Sequence, residues 1–440
     1  MEIKIENLAM ILKANMILDG ITVIASKNDS GKSTIGKAIF SIIYTINNFK
    51  KEYRKSIEKY IDISLMKARM IFSSLEKKEE LKNIEQVKKE FLEYVDKILV
   101  KEKNNEFFEP VYTKVLLENI KNIYEKDKEL SNHINKNSVI DEIDRMVEIL
   151  KKTSEYFTIV NKSFEKALKI EFETGISNLF LEDKHTTLQL DNLKINLEND
   201  KVISVDFLTQ DLIDKYNVIY IESPLILDYI NNICDNLGVY SGEENKVRNL
   251  KNNLTNVEQF NIVDTILGKE EKLEEIIKKI ENIILGEFSF DKQSENYKYK
   301  KNGVNIGIKN TANGIKSFGI IEILLKNKKL NENTILIIDE PEVHLHPTWQ
   351  IKYAEILSLL VKELEVKVLL NSHSPYFIQA IDVFSKKYKV DKKFYSLIDS
   401  EDKKAKILVD KTENLSYIYN ELVEAYDILD EINNEIIGEI

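Results

Sequence analysis

The chain has 440 residues, 43% of them hydrophobic and 31% charged, with a formal net charge of −11. This length suits two or three domains with a substantial core, and the acidic balance excludes a global electrostatic case for nucleic-acid binding. One cysteine, Cys234, excludes an internal disulfide and fits a reducing compartment, and no stretch approaches the roughly 18–20 apolar residues that span a bilayer.

Residues 2–7 and 10–18 read as short strands, followed by the buried-strand run Ile21-Thr-Val-Ile-Ala25. That run enters Ser26-Lys-Asn-Asp-Ser-Gly31-Lys32-Ser33-Thr34, and Ile35-Gly-Lys-Ala-Ile-Phe40 continues as a helix predicted over about 33–48. Strand, tight loop and helix form the setting of a phosphate loop, G-x-x-x-x-G-K-[ST]. Its backbone N–H groups cradle phosphates, the lysine reaches the β- and γ-phosphates, and the hydroxyl binds Mg²⁺. The helix N-terminus faces the anionic oxygens. One letter departs: Ser26 stands where the first glycine belongs.

From about 50 to 180 glycine is almost absent, Lys and Glu are dense, and apolar residues recur at helical spacing. Ile57, Tyr60, Ile61 and Leu65 are one set; Ile140, Ile143, Met146 and Leu150 are another. This pattern predicts an insertion of several antiparallel helices, without the sustained heptads of a long coiled coil. Alternation returns at 187–190, 193–197 and 202–205, a small meander, and 217–221 reads as another buried strand. A helix is expected at 257–285, strands near 287–291, 296–300 and 303–308, then alternating helix and strand. An acidic amphipathic helix closes the chain at about 414–437. The domains expected are a head formed by 1–49 and 185–440, with a helical insertion over 50–184.

A second chemical motif is Thr334-Ile-Leu-Ile-Ile-Asp339-Glu340-Pro341. A buried strand ending in two carboxylates places Asp339 on a Mg²⁺ shell and Glu340 beside the γ-phosphate, where it can polarise water. Three of the five histidines, His344, His346 and His373, come late in the chain. His373 leaves a buried strand in Asn371-Ser-His-Ser-Pro375 and is placed to sense the γ-phosphate. The H-x-H spacing of His344 and His346 is weak as a zinc set, because no cysteine or third histidine completes it.

On these residues, together with Thr311-Ala-Asn313-Gly314-Ile-Lys316-Ser317 and Ile338-Asp-Glu-Pro-Glu-Val-His-Leu-His-Pro347, the chain resembles the ABC-type ATPase heads of SMC, RecF and OLD proteins. The D-E-P-E-x-H-L-H-P form is typical of the OLD-like branch. The resemblance implies an α/β fold: a mixed central sheet with flanking helices, a small antiparallel β subdomain and the all-α insertion. It implies ATP and Mg²⁺ as cofactors. Asn28, Asp29, Ser30, Gly31, Lys32, Ser33 and Thr34 then bind nucleotide, Ser33 and Asp339 hold the metal, Glu340 is the catalytic base and His373 the switch histidine. Asn313, Gly314 and Lys316 belong to a signature loop that reaches a partner's γ-phosphate in a head-to-tail homodimer.

Ala312 replaces the usual signature serine, Ser26 a loop glycine, and no glutamine marks the Q-loop, whose region holds Glu222-Ser223-Pro224. Slow hydrolysis is therefore expected. The resemblance further points to a cytoplasmic sensor or scaffold ATPase of bacterial anti-phage defence, controlling a nuclease or toxin encoded nearby and using no membrane. The alternative is a RecF- or SMC-like repair ATPase that binds DNA directly. The stretch after His373 is too short for a nuclease domain plus closing strands, so no intrinsic nuclease is expected. A transporter ATPase would carry a signature closer to L-S-G-G-Q.

Overall fold

A computed structural model describes residues 1–27, 30–74, 156–173, 175–229, 245–258, 268–291, 296–401 and 404–422, with isolated positions between 82 and 96 and at 432. Asn28, Asp29, the set Ile140 to Leu150 and the closing helix beyond 422 lie outside the described residues. The chain divides into two compact units, Met1–Ile46 with Glu165–Ile440, and Asn47–Phe164.

The first unit is built on an eleven-stranded sheet. Its strands are β1 (Glu2–Leu8), β2 (Ile11–Ile17), β3 (Ile21–Ala25), β4 (His185–Leu190), β5 (Leu193–Glu198), β6 (Lys201–Asp206) and β7 (Asn217–Ile221). After three strands that lie apart come β11 (Thr334–Asp339), β12 (Lys367–Ser372), β13 (Lys392–Asp399) and β14 (Lys406–Asp410). The spatial order is β6-β5-β4-β1-β2-β14-β13-β3-β12-β11-β7. From β13 to β7 the strands are parallel; from β2 to β6 they form an antiparallel meander. Every residue of β3 and β11 is buried, as expected for parallel strands covered on both faces. The smaller antiparallel sheet has the order β10-β9-β8, from β8 (Glu287–Asp291), β9 (Asn296–Lys301) and β10 (Val304–Gly307).

The helices are α1 (Lys32–Ser74), α2 (Tyr156–Phe172), α3 (Ile226–Tyr229), α4 (Asn245–Thr255), α5 (Lys269–Ile284), α6 (Asn313–Lys326), α7 (Pro347–Leu364) and α8 (Pro375–Tyr388). α1 runs past the predicted end near 48 because nothing after Gly36 interrupts it: no glycine or proline follows within the helix. α4 was not expected, since Asn245, Asn249, Asn252 and Asn253 are poor helix formers. Burial of Leu250 and Leu254 overrides that preference. The core of this unit joins β3, β7, β11 and β12 to α5, α6, α7 and α8 through residues such as Val23, Leu336, Leu370, Ile280, Phe318, Leu357 and Ile381. The start of the closing helix docks on the same core through fully buried Ile418.

In the second unit, Arg54 of α1 donates to Asp96 at 2.8 Å, and Lys88 pairs with Glu58 at 3.0 Å and Asp62 at 2.9 Å. Phe49 meets Tyr156 edge-on, with ring centroids 6.0 Å apart. Among the described residues no helix is long and apolar enough to cross a membrane.

Candidate functional site

Three neighbouring parallel strands, β3, β12 and β11, end at one level: Ser372 stands opposite Ala25, and Asp339 opposite Asn371. The carboxyl edge of such a sheet is where α/β folds bind ligands. Here the chain leaves β3 into the phosphate loop, β11 into Glu340 and β12 into His373.

Gly31 turns the phosphate loop with φ of +89°, a left-handed conformation that glycine adopts without steric cost. A side chain there would also meet Met10 at 2.8 Å. Lys32 opens α1 and is buried. Its Nζ donates to the carbonyls of Ser26 at 2.6 Å and Lys27 at 3.0 Å, and lies 3.7 Å from Glu340 Oε1. Burial lowers the proton affinity of this ammonium, against the pull of Glu340, Glu342 and Asp339. Ser30 Oγ is buried with no hydrogen-bond partner among the described residues. Ser33 and Thr34 stand in the first turn of α1, and Thr34 N–H donates to the Gly31 carbonyl at 3.1 Å. An orphaned hydroxyl, a buried ammonium held by loop carbonyls and one carboxylate, and a helix start together fit a phosphate.

Asp339, at the end of β11, is held on both oxygens. Tyr220 of β7 donates its hydroxyl to Oδ2, and Asn371 of β12 donates its amide to Oδ1. A carboxylate fixed in this way is a hard oxygen donor of the kind Mg²⁺ takes. Glu340 adopts φ of +48°, a sparsely populated conformation for a non-glycine residue, and its N–H is tied to the Asn371 carbonyl at 2.8 Å. Its carboxylate makes an ion pair with His373 Nδ1. Burial and the neighbouring Glu342 raise the proton affinity of Glu340, which makes it a stronger base.

Glu342 was given no role from sequence. It is buried, accepts from the N–H groups of His373 at 2.7 Å and Ser374 at 3.2 Å, and lies 3.1 Å from His373 Nδ1. Burial acts to raise its pKa, but the imidazole and N–H of His373 outweigh it and hold the carboxyl below the ordinary value. Conversely, Glu342 and then Glu340 raise the imidazole of His373. Tyr220 and Asn371 are further members to which the sequence assigned no role; their signal was a polar residue inside an apolar strand. Lys246 of α4, whose ammonium lies 4.9 Å from the Tyr220 ring centroid, had none.

Asn313, Gly314 and Lys316 open α6. Gly314 is needed for close approach: a Cβ there would lie 3.0 Å from the carbonyl oxygen of His344, on the segment leaving Glu340. This puts the start of α6 on the same edge of the sheet. Ala312 at the N-cap position is exposed and supplies no side-chain cap, so among the described residues no side chain closes the first N–H groups of α6. Lys316 is turned inward: it is 2% exposed, its Nζ 2.8 Å from Asp228 of α3 and 3.3 Å from Asn313 Oδ1. His346 caps α7 through Nδ1, accepting from Thr348 N–H at 3.4 Å, while His344 is exposed.

No curated protein matches the chain. Among solved structures, an SMC head bound to the C-winged helix domain of ScpA is 12% identical with a TM-score of 0.38, over 94% of this chain and 98% of that one. The SMC head domain from Thermotoga maritima is 10% identical with a TM-score of 0.38, over 93% and 97%. An Smc head with a coiled coil and joint from Pyrococcus yayanosii is 11% identical with a TM-score of 0.36, over 97% and 99%. Residues 1–378 match the family described as AAA ATPase domain; Lys32, Asp339, Glu340 and His373 fall within that span, and the chain belongs to this family.

Proposed function

We propose that the chain binds ATP with Mg²⁺ at a composite site closed by a second copy of itself, hydrolyses it slowly, and uses that cycle to hold and release a separate effector. The observation that carries this reading is the convergence of Lys32, Asp339, Glu340 and His373 on the edge of three adjacent parallel strands. Lys32 and the N–H groups from Ser30 onward hold the phosphates, with Asn28 and Asp29 completing the loop. Ser33 and Asp339 hold the metal, which neutralises charge developing on the phosphate oxygens when bound.

Glu340 accepts a proton from water, and His373, paired to it, reports whether the γ-phosphate position is filled. The uncapped start of α6, at Asn313 and Gly314, offers N–H groups to the phosphate held by the other copy. Lys316 supports that loop from inside through Asp228. The effector is a nuclease or toxin in anti-phage defence; this part rests on the D-E-P-E-x-H-L-H-P resemblance.

Mass in solution with and without ATP–Mg²⁺, for the wild type and Glu340→Gln, tests the reading together with turnover. Expected are ATP-dependent dimers, persistent in the variant, and turnover lowered at least a hundredfold, on the order of losing a general base. A mass that never responds to ATP overturns the composite site, and unchanged turnover overturns the base. Co-purification with the product of the adjacent open reading frame tests the effector.

A further inference from the structure

We infer that Tyr220 and Lys246 are positioning residues that aim the carboxylate of Asp339 at its metal. This rests on the reading of Asp339 as the Mg²⁺ ligand and goes beyond it. Each Asp339 oxygen accepts one hydrogen bond, from Tyr220 on β7 and Asn371 on β12, the strands flanking β11. A carboxylate oxygen has two lone-pair directions. With one on each oxygen occupied from within the sheet, the other is left toward the edge where Ser33 stands. Partners of this kind orient metal ligands and typically change metal affinity by 10- to 100-fold.

The Tyr220 ring is itself held on two sides. Phe40 of α1 meets it edge-on at 5.9 Å, and Lys246 of α4 places its ammonium 4.9 Å from the ring centroid. Lys246 is 2% exposed and pairs with Glu171 Oε2 and Glu222 Oε2, each at 3.2 Å. A cation on the ring face draws density from the phenol and strengthens the hydroxyl as a donor. Glu171 lies in the last turn of α2, the helix by which the chain returns from the second unit. Carboxylates from α2 and from the residue after β7 therefore hold Lys246, and Lys246 in turn meets the ring of the residue that holds Asp339.

The test uses the full chain and follows binding of a fluorescent ATP analogue over a Mg²⁺ series, and in EDTA. Three variants are compared: Tyr220→Phe, which deletes only the hydroxyl; the double Glu171→Gln with Lys246→Met, which avoids a lone buried charge; and Asp339→Asn. Half-saturation in Mg²⁺ is expected to rise about tenfold in Tyr220→Phe, by a smaller factor in the double variant, and most in Asp339→Asn. Affinity in EDTA stays at the wild-type value in Tyr220→Phe, which changes no charge. A rise in Asp339→Asn alone overturns the inference and leaves the metal role of Asp339 standing. A rise with Tyr220→Phe but not the double variant overturns the part played by Lys246. No rise in any of the three overturns the Asp339 reading itself. A lowered melting temperature with unmoved Mg²⁺ dependence counts as a purely structural role and against the inference.

Discussion

Glu342 grips His373 twice: it accepts the backbone N–H at 2.7 Å, and its carboxylate lies 3.1 Å from the imidazole Nδ1. The backbone bond fixes where the chain leaves β12, and the charge raises the proton affinity of the imidazole, which faces Glu340. Glu342→Gln retains an acceptor oxygen but loses the charge. The His373 imidazole is then expected to titrate at lower pH by NMR, and turnover to fall about tenfold, less than the roughly 10²–10⁴-fold of losing an acid–base group outright, because Glu342 acts through His373. An unmoved titration midpoint would show that Glu342 does not set the state of His373.

The same pairing makes stability depend on pH. The folded protein raises His373 above its unfolded value of about 6.5. Its contribution is therefore complete below that value and is lost as pH rises through the higher folded one. Denaturant midpoints of the nucleotide-free protein, compared between wild type and His373→Gln from pH 6 to 9, are expected to converge with increasing pH. More than a third of the imidazole is exposed, so screening keeps the difference small. A difference that widens with pH refutes the sign.

Much of this site was legible in the sequence because each motif is local. A β-branched run, a loop with Gly31-Lys32 and a helix are contiguous, as are the apolar run and the Asp339-Glu340 pair. The supporting residues are not local. Tyr220 reaches Asp339 across 119 positions of sequence, and Asn371 meets it only because β11 and β12 pair in that register. Glu342 stood within the D-E-P-E-x-H-L-H-P motif without a role, since nothing in its spacing says that it will be buried under His373. The inward turn of Lys316 likewise depends on Asp228, a residue of a four-residue helix with no sequence signal.

Ser26 departs from the phosphate-loop pattern, and its hydroxyl has a structural task. It donates to the Ala25 carbonyl and accepts from Leu397 N–H, both at 2.7 Å, joining β3 to β13. Ser396, beside it, donates to Glu421 near the start of the closing helix at 3.1 Å. Ser26→Gly leaves the Leu397 N–H buried without its acceptor, at a cost of about 1–3 kcal/mol. The expected result is a lower melting temperature and turnover that does not increase. Faster turnover at unchanged stability would instead show that the serine slows the site.

Lys316 provides a sharp division between a phosphate contact and an internal support. Its buried ammonium lies 2.8 Å from the Asp228 carboxylate, which is 13% exposed, so Lys316→Met strands a largely buried charge and is expected to destabilise by about 3 kcal/mol, the lower end for a broken buried pair. Combining it with Asp228→Asn removes that charge and is expected to recover most of the stability. If Lys316 acts only through the loop, the double variant also regains ATP-dependent dimerisation, because the N–H groups at Asn313 and Gly314 are again held in place. If the ammonium itself reaches a partner's phosphate, the double variant folds but stays monomeric with ATP, and the internal role assigned to Lys316 is wrong.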